Sequence, residues 1–341
     1  MRSFTDEVGG QRVVFGAGTL GQVGEELARL GGGRPLVLAT PEQRELAERV
    51  AAMLGGAATF TGAAMHTPVA VTEEALAAAG DADSLVSVGG GSTTGLGKAV
   101  SVRTGLPHLV VPTTYAGSES TPVLGETASG EKTTRSAPEI LPDAVLYDVE
   151  LTTTLPWPMT LTSGVNAMAH AVEALYSPDR TEDTDAMAED CLRAIAGGLR
   201  ARAADLDARA ELLYGAWLGG RCLAAVGMGL HHKLCHTLGG SFGLPHAPTH
   251  TVVLPYAMEY NAGPGVRRAS AAIGTDDLQS LVAELGGPTD LGGLGFDAAD
   301  VDRAAELATA RPYPNPREVT RDGIADLLGR ATAGTPIGAL T

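Results

Sequence analysis

The feature that most constrains this chain is a change of texture near residue 150. Before it, short apolar runs lie at Arg12–Phe15, Pro35–Ala39, Ser84–Val88, His108–Val111 and Ala144–Tyr147. Stretches of helical character, such as Glu42–Leu54 and Thr72–Ala79, separate them. The runs lack polar alternation, which suits strands covered on both faces. Their alternation with helices predicts βαβ units in a mostly parallel sheet. After residue 150 the strand signals nearly vanish. Thr160–Tyr176, Glu182–Leu199, Ala208–Ala225, His231–Gly239, Ala257–Asn261 with its flanks, Asp276–Leu285 and Val301–Thr309 read as helices. Pro156 and Pro158 mark the junction. The expected fold is an α/β, Rossmann-like parallel-sheet domain over residues 1–155 and an all-helical domain over 156–341. A cleft between two such domains is the expected ligand site.

Two glycine motifs follow strands in the first domain. Gly16-Ala17-Gly18-Thr19-Leu20-Gly21 has GxGxxG spacing between RVVF and GEELARL. A dinucleotide fingerprint also wants an acid at the end of the next strand, to bond a ribose hydroxyl. That strand, PLVLAT, ends at Thr40, so the motif reads as a glycine turn that starts a helix. The second motif is Gly89-Gly90-Gly91-Ser92-Thr93-Thr94, directly after Ser84–Val88. Three glycines let the backbone approach a diphosphate, and the helix that follows offers free N–H groups and a positive dipole end. Ser92 and Thr93 add hydroxyl donors. Pro112–Ser118 follows another strand, and loops at the carboxyl ends of strands face the binding crevice. Gly89, Gly90, Gly91, Ser92, Thr93, Thr113, Thr114 and Ser118 are therefore assigned to a cofactor, with Thr40 at its adenosine ribose. Both NADH and NADPH stay open.

Charge narrows the partners. With 24 Lys and Arg against 40 Asp and Glu, the net charge is −16, which argues against nucleic acid and against an anionic membrane surface. No apolar run reaches the ~18 residues of a membrane span. The opening MRSFTDEVGG has no apolar signal core. Cys191, Cys222 and Cys235 lack CxxC spacing, which suits a reducing cytoplasm. The lysines are Lys98, Lys132 and Lys233, each within or beside a segment assigned to cofactor or substrate; Lys98 joins the cofactor set.

Of eight histidines, six fall between residues 170 and 250: His170, His231, His232, His236, His246 and His250. His232 and His236 share a helical face at i,i+4 spacing, as do Asn166 and His170. Two helices and a loop can direct these imidazoles into one pocket. Metal sites often combine histidines with a carboxylate, but the residue four before His170 is Asn166, whose neutral amide is a poor substitute. Three neutral histidines still hold zinc. The expectation is a pocket with no required metal, zinc or iron staying open.

Together these segments resemble the iron-containing alcohol dehydrogenase superfamily and, within it, the maleylacetate reductase branch, over most of the chain. The resemblance rests on FGAGTL (15–20), VSVGGGSTTGLGKAV (86–100), PTTYAGSESTP (112–122) and SGVNAMAHAVEALYS (163–177). It rests further on LYGAWLGG (213–220), GMGLHHKLCHTLGGSFGLPHAPTHTVVLP (227–255) and PYPNPR (312–317). Metal-dependent members that this chain resembles carry an aspartate and three histidines, a pattern that falls on Asn166, His170, His232 and His246. They also carry Asp-x-Ala-Lys where this chain has Gly95-Leu96-Gly97-Lys98. Both departures match the maleylacetate reductase branch, which is associated with metal-independent activity. Tyr256, where that branch usually has histidine, and Pro248, where it usually has an acid, depart from it.

The resemblance implies a dehydroquinate synthase-like fold and a homodimer built through the first domain. It implies NADH- or NADPH-dependent reduction of the C=C bond of maleylacetate, a dicarboxylate enone, to 3-oxoadipate in aromatic-compound catabolism. Hydride adds β to the ketone, charge develops on the ketone oxygen, and a proton reaches the α carbon. Preorganised donors in a dry cleft can serve that enolate without a metal, and imidazoles suit donor and acid roles near neutral pH. His170, His232, His236 and His246 are assigned to catalysis, with His232 or His236 as enolate stabiliser or proton donor. Asn166, Lys233, His250 and Arg135, in the Gly130–Arg135 loop, are assigned to the substrate. Arg317 is a further carboxylate candidate, and Cys235 is expected to be structural. The alternatives are a metal-dependent alcohol or aldehyde oxidoreductase of the same superfamily, a reductase of another enone carboxylate, a dehydroquinate synthase-type lyase and a cofactor-binding redox sensor. Asn166 opposes the metal-dependent readings, and the histidine pocket opposes the sensor.

Overall fold

The computed structural model describes residues 1–128 and 131–338, the side chains of Glu131 and Lys132 excepted. The chain forms two compact units, Met1–Leu155 with Asp205–Leu213, and Pro156–Ala204 with the residues from Tyr214 onward. By texture, residues 205–213 belong with the helical domain. The structure gives this segment to the first unit.

In the first unit the strands are β1 (Phe4–Val8), β2 (Gln11–Gly16), β3 (Pro35–Leu38), β4 (Ala58–Phe60), β5 (Ser84–Gly89), β6 (His108–Pro112), β7 (Val123–Ala128), β8 (Glu131–Ser136) and β9 (Ala144–Asp148). Seven of them form one sheet in the order β1-β2-β9-β6-β5-β3-β4. Only the β1–β2 pair in it is antiparallel. Every residue of β3, β5, β6 and β9 is buried, as the unalternating runs require. Helices α1 (Val23–Arg29) and α2 (Arg44–Met53) cover one face, packing Leu27 and Val50 with Val37, Val86 and Leu109. Helices α3 (Val69–Ala79) and α4 (Gly91–Thr104) cover the other, packing Ala75, Leu96 and Val100 with Leu36, Leu38 and Leu85.

Strand order fixes where a ligand goes. β3 and β5 are neighbours, Leu36 beside Leu85. The chain leaves β3 toward β4, but leaves β5 in the opposite direction, through α4 toward β6. This reversal opens a crevice beyond their carboxyl ends, between Thr40 and Gly89–Gly91. The first glycine motif has a different fate. The backbone N–H groups of Gly18 and Leu20 donate to the two carboxylate oxygens of Asp148, at the end of β9, each at 2.9 Å. An internal anion thus occupies the turn, which is the glycine turn the missing acid pointed to.

β7 and β8 form an antiparallel hairpin, Leu124 opposite Arg135. The sequence reading took Gly130–Arg135 for a loop. Gly130 itself and the Lys132 side chain lie outside what is described. The hairpin escaped detection because β8 is polar throughout and β7 buries Leu124 alone, so no apolar alternation marks them.

The second unit is helical: α5 (Trp157–Ala174), α6 (Glu182–Arg200), α7 (Leu206–Val226, from Tyr214), α8 (Leu230–Phe242), α9 (His246–Tyr260), α10 (Pro264–Ile273), α11 (Leu278–Glu284), α12 (Val301–Thr309) and α13 (Arg321–Ala333). α5 is buried almost all round from Thr160 to Ala174, as expected of a core helix. It packs against α6 and α9, and α8 packs against α9. Leu230, Leu234 and Leu238 line one face of α8 and meet Val252, Val253, Ala304 and Leu328. α9 starts well before the Ala257–Asn261 signal. Pro248 fits its first turn, where no N–H bond is lost, while Pro255 inside it weakens the helical pattern. Among the described residues no helix is long and apolar enough to cross a membrane.

Candidate active site

In the first unit, Gly89, Gly90 and Gly91 carry β5 into α4. Gly89 has φ +149°, and a Cβ on it would lie 2.6 Å from Thr93 Oγ1. A Cβ on Gly90 would come within 3.0 Å of the Thr114 side chain. The first turn of α4 has no acidic residue, and no side chain caps Gly90. The amide end of α4 is therefore open to an anion. Ser118 Oγ lies 3.7 Å from where a Gly91 Cβ would stand. Thr93 Oγ1, Thr113 Oγ1 and Ser118 Oγ are buried hydroxyls without hydrogen-bond partners. Buried polar atoms are normally paired, so these orphans beside an open helix end fit the diphosphate of a dinucleotide. Thr40 is half-buried at the far side of the crevice. The backbone N–H of Glu42, together with the Thr40 hydroxyl, holds the exposed Glu42 carboxyl below its ordinary range.

Lys98 does something other than contact phosphate. It is 1% exposed. Its ammonium donates to Ser118 O (2.6 Å), Thr121 O (2.7 Å), Thr121 Oγ1 (3.1 Å) and Val123 O (2.9 Å). These acceptors more than use its three N–H donors. Lys98 thus holds the chain that carries Ser118. Burial, opposed by the charge of Glu119, lowers its pKa to about 7.

In the second unit, α5, α8 and α9 bring all six clustered histidines together. The His170 and His232 rings stack at 4.9 Å. His250 lies 4.8 Å from His231, 5.1 Å from His232 and 4.4 Å from His246, and His236 lies 6.2 Å from His232. His170, His231, His232 and His250 are buried, His236 is half-buried and His246 is exposed at the start of α9. Burial, reinforced by neighbouring imidazoles, pushes His170 and His250 well below the ordinary histidine value and His231 down to about 3. These three rings are neutral at neutral pH.

Sequence reasoning missed Glu173. It is 2% exposed and its Oε2 accepts from His232 Nδ1 at 2.7 Å. The same carboxylate accepts from the backbone N–H groups of Gly229 (2.8 Å) and His231 (2.7 Å) and from the Tyr176 hydroxyl (3.1 Å). Burial works to raise its pKa, but the charge and hydrogen bond of His232 win, and the net value falls to about 2. The signal was available: Glu173 stands three residues after His170, on the same helical face.

Asn166 is buried, its Oδ1 without a partner. It faces the test of the metal that a carboxylate and three histidines would hold. Asn166, His170, His232 and His246 offer an amide and three imidazoles with no anionic ligand, unlike that carboxylate-bearing set. A second group of donors, His231, Cys235 and His250, lies within 4.8 Å. There His231 Nε2 and His250 Nδ1 already bond each other at 2.9 Å. Their opposite nitrogens are buried without the hydrogen bonds that normally orient metal-bound imidazoles. Burial raises the Cys235 thiol well above its ordinary value, which keeps it protonated.

The proposed carboxylate clamps fare unequally. Arg317 is committed elsewhere: it donates to Tyr260 O at 3.2 Å and lies 4.4 Å over the Tyr260 ring. Arg135 is exposed on β8. Lys233 is half-buried on α8, one residue, or roughly 100°, round the helix from His232. Tyr256 points to a structural task, donating to Thr335 O (2.8 Å) and accepting from Gln279 Nε2 (2.9 Å).

Comparison with known proteins covers both units. Residues 10–149 match the model of the iron-containing alcohol dehydrogenases, and residues 160–332 match that of the C-terminal region of the Fe-containing alcohol dehydrogenase family. Maleylacetate reductase 1 of Rhodococcus opacus is 53% identical, over 95% of this chain and 94% of its own length. Maleylacetate reductase of Rhizobium sp. (strain MTP-10005) is 52% identical, over 98% of this chain and 99% of its own. The crystal structure of maleylacetate reductase from Agrobacterium tumefaciens superposes with a TM-score of 0.92 at 50% identity, covering 98% of this chain and all of that one.

Proposed function

Because the chain belongs to the iron-containing alcohol dehydrogenase family and its relatives are named maleylacetate reductases, we propose that it reduces the C=C bond of maleylacetate to give 3-oxoadipate. The observation that carries this reading is the cluster of imidazoles on α5, α8 and α9, with Asn166 rather than an acid one helical turn before His170. The reading includes NADH or NADPH as cofactor, no required metal, a homodimer and a cytoplasmic location.

A reduced nicotinamide, when bound, supplies the hydride that adds β to the ketone. The Gly89–Gly91 turn, the amide end of α4 and the hydroxyls of Thr93, Thr113 and Ser118 would hold its diphosphate. The neutral rings of His170 and His250 and the Asn166 amide offer hydrogen bonds without adding fixed charge. They suit an enone whose negative charge appears only as the reaction proceeds. His232 carries its proton on Nδ1 toward Glu173, which leaves Nε2 as the edge through which a second proton passes to the α carbon. Lys233 is the cation kept for a substrate carboxylate.

The test is a substrate panel with both cofactors. Maleylacetate should consume the reduced-nicotinamide absorbance and simple aldehydes should not. His170→Ala and His246→Ala should lose most turnover, about 100-fold, and keep cofactor affinity. Exhaustive chelation should leave activity intact. Unchanged turnover in both variants, or loss of activity on chelation restored only by zinc or iron, overturns the reading.

A further inference from the structure

Glu173 sits between two helices and serves both. Gly229, before α8, has no side-chain cap. Its N–H and that of His231 instead end on the Glu173 carboxylate at 2.8 and 2.7 Å. A Cβ on Gly229 would stand 3.0 Å from Glu173 Oε1, so the glycine admits this approach. An anion at a helix amide end is stabilised by the free N–H groups and by the dipole. The same carboxylate grips His232 Nδ1 at 2.7 Å, while His232 Nε2 is buried with no partner.

An ionised carboxylate only accepts hydrogen bonds. It therefore selects the His232 tautomer that carries hydrogen on Nδ1 and presents Nε2 bare. We propose that Glu173 is the positioning residue of the reaction, fixing through one carboxylate both where α8 begins and which edge of His232 meets the substrate. The catalytic use of that edge rests on the reduction proposed above. The tautomer itself does not.

Glu173→Gln tests the tautomer at the cost of one bond at the start of α8. Oε1 accepts from His231 and Oε2 from both Gly229 and His232, so an amide oxygen in the Oε1 place keeps the His231 bond. The NH2 in the Oε2 place loses the Gly229 bond and donates to His232 Nδ1, which reverses the tautomer. Ring-nitrogen NMR of isotope-labelled histidine, with His232→Asn to assign the signal, should place the hydrogen on Nδ1 in the unmodified protein and on Nε2 in Glu173→Gln. With maleylacetate, the same variant should lose kcat by about 100-fold while KM for the reduced nicotinamide stays within about twofold. Glu173→Asp, which keeps the charge, should recover part of that loss.

A hydrogen found on Nε2 and not on Nδ1 of His232 in the unmodified protein overturns the proposal, even if the Gln variant fails to fold. Full kcat in a Gln variant whose tautomer has reversed overturns it too. If the tautomer reverses and no form of the enzyme consumes maleylacetate, the functional reading fails and the tautomer assignment stands.

Discussion

Each unit of the molecule pins its site with one buried ion, and the two ions behave oppositely. Lys98, in the first unit, is ringed by carbonyl and hydroxyl oxygens, and burial brings it down to about 7. Glu119, whose charge acts on it, is itself raised above the ordinary carboxylate range, first by burial. Glu173, in the second unit, is as deeply buried yet stays ionised, down to about 2, despite a burial effect that works the other way. The difference lies in the partners. Two helix-start N–H groups and an imidazole compensate an anion better than carbonyl dipoles compensate an ammonium. The cradle in the first unit is thus built from hydroxyls and amide dipoles, and a diphosphate brings the charge. The second unit holds a fixed anion in the same pocket as the neutral rings of His170, His231 and His250.

The largest effect that separates the units is acid sensitivity. His231 has a folded value of about 3 against an ordinary 6.5, so the unfolded chain binds the extra proton and stability falls as pH drops through that window. This amounts to roughly 5 kcal/mol for His231 by pH 3. His170 and His250 act in the same direction. Glu173, depressed from 4.5 to about 2, contributes stability that is present above 4.5 and is lost toward pH 2, about 3 kcal/mol. In the first unit, His108 carries a comparable shift. Lys98 is protonated in both states below about pH 7 and contributes no slope there. Hydrogen exchange corrected for intrinsic rates, read between pH 6.5 and 4, should show α5, α8 and α9 opening before the parallel sheet. Simultaneous opening breaks the contrast.

Next in size is Lys98→Met. Removing the ammonium strands four acceptors and should cost about 3–5 kcal/mol in a urea titration, with cofactor affinity weakened through the displaced Ser118. Undiminished stability with NADH binding lost would return Lys98 to the phosphate contact expected from its place after GGGSTTG.

The sequence supported most of this architecture where its signals are local. Unalternating apolar runs mark buried strands, three glycines mark a close backbone approach, and i,i+4 histidines mark a helical face. What escaped depends on partners distant in sequence. Lys98 looks like a phosphate ligand until the chain from Ser118 to Val123 folds over it. Glu173 looks like one more helical acid until the start of α8 arrives. Arg317 looks free until Tyr260 lies beneath it.

The smallest effect concerns cofactor choice. The Glu42 carboxylate, held low by its own N–H and by Thr40, keeps a negative charge at the rim of the crevice and should disfavour a ribose phosphate. Glu42→Gln should raise the NADPH-to-NADH ratio of kcat/KM a few-fold at low salt and less at high salt. A ratio that does not move removes Glu42 from that role and leaves the cradle's preference to its hydroxyls.

The clasp between the first glycine turn and Asp148 also bears on how the molecule comes into being. β2 leaves a biosynthetic machine early, but its parallel neighbour β9 and the carboxylate that fills its turn lie 130 residues further on. Until β9 is made, β2 has only β1 to pair with, and two glycine-turn amides face water. Pairings of such long sequence separation must meet their loop-closure cost before any contact rewards them. The insertion of β9 between β2 and β6 is therefore the step on which the whole sheet waits, and an Asp148→Asn chain should refold more slowly long before it shows any change in how it binds a nucleotide.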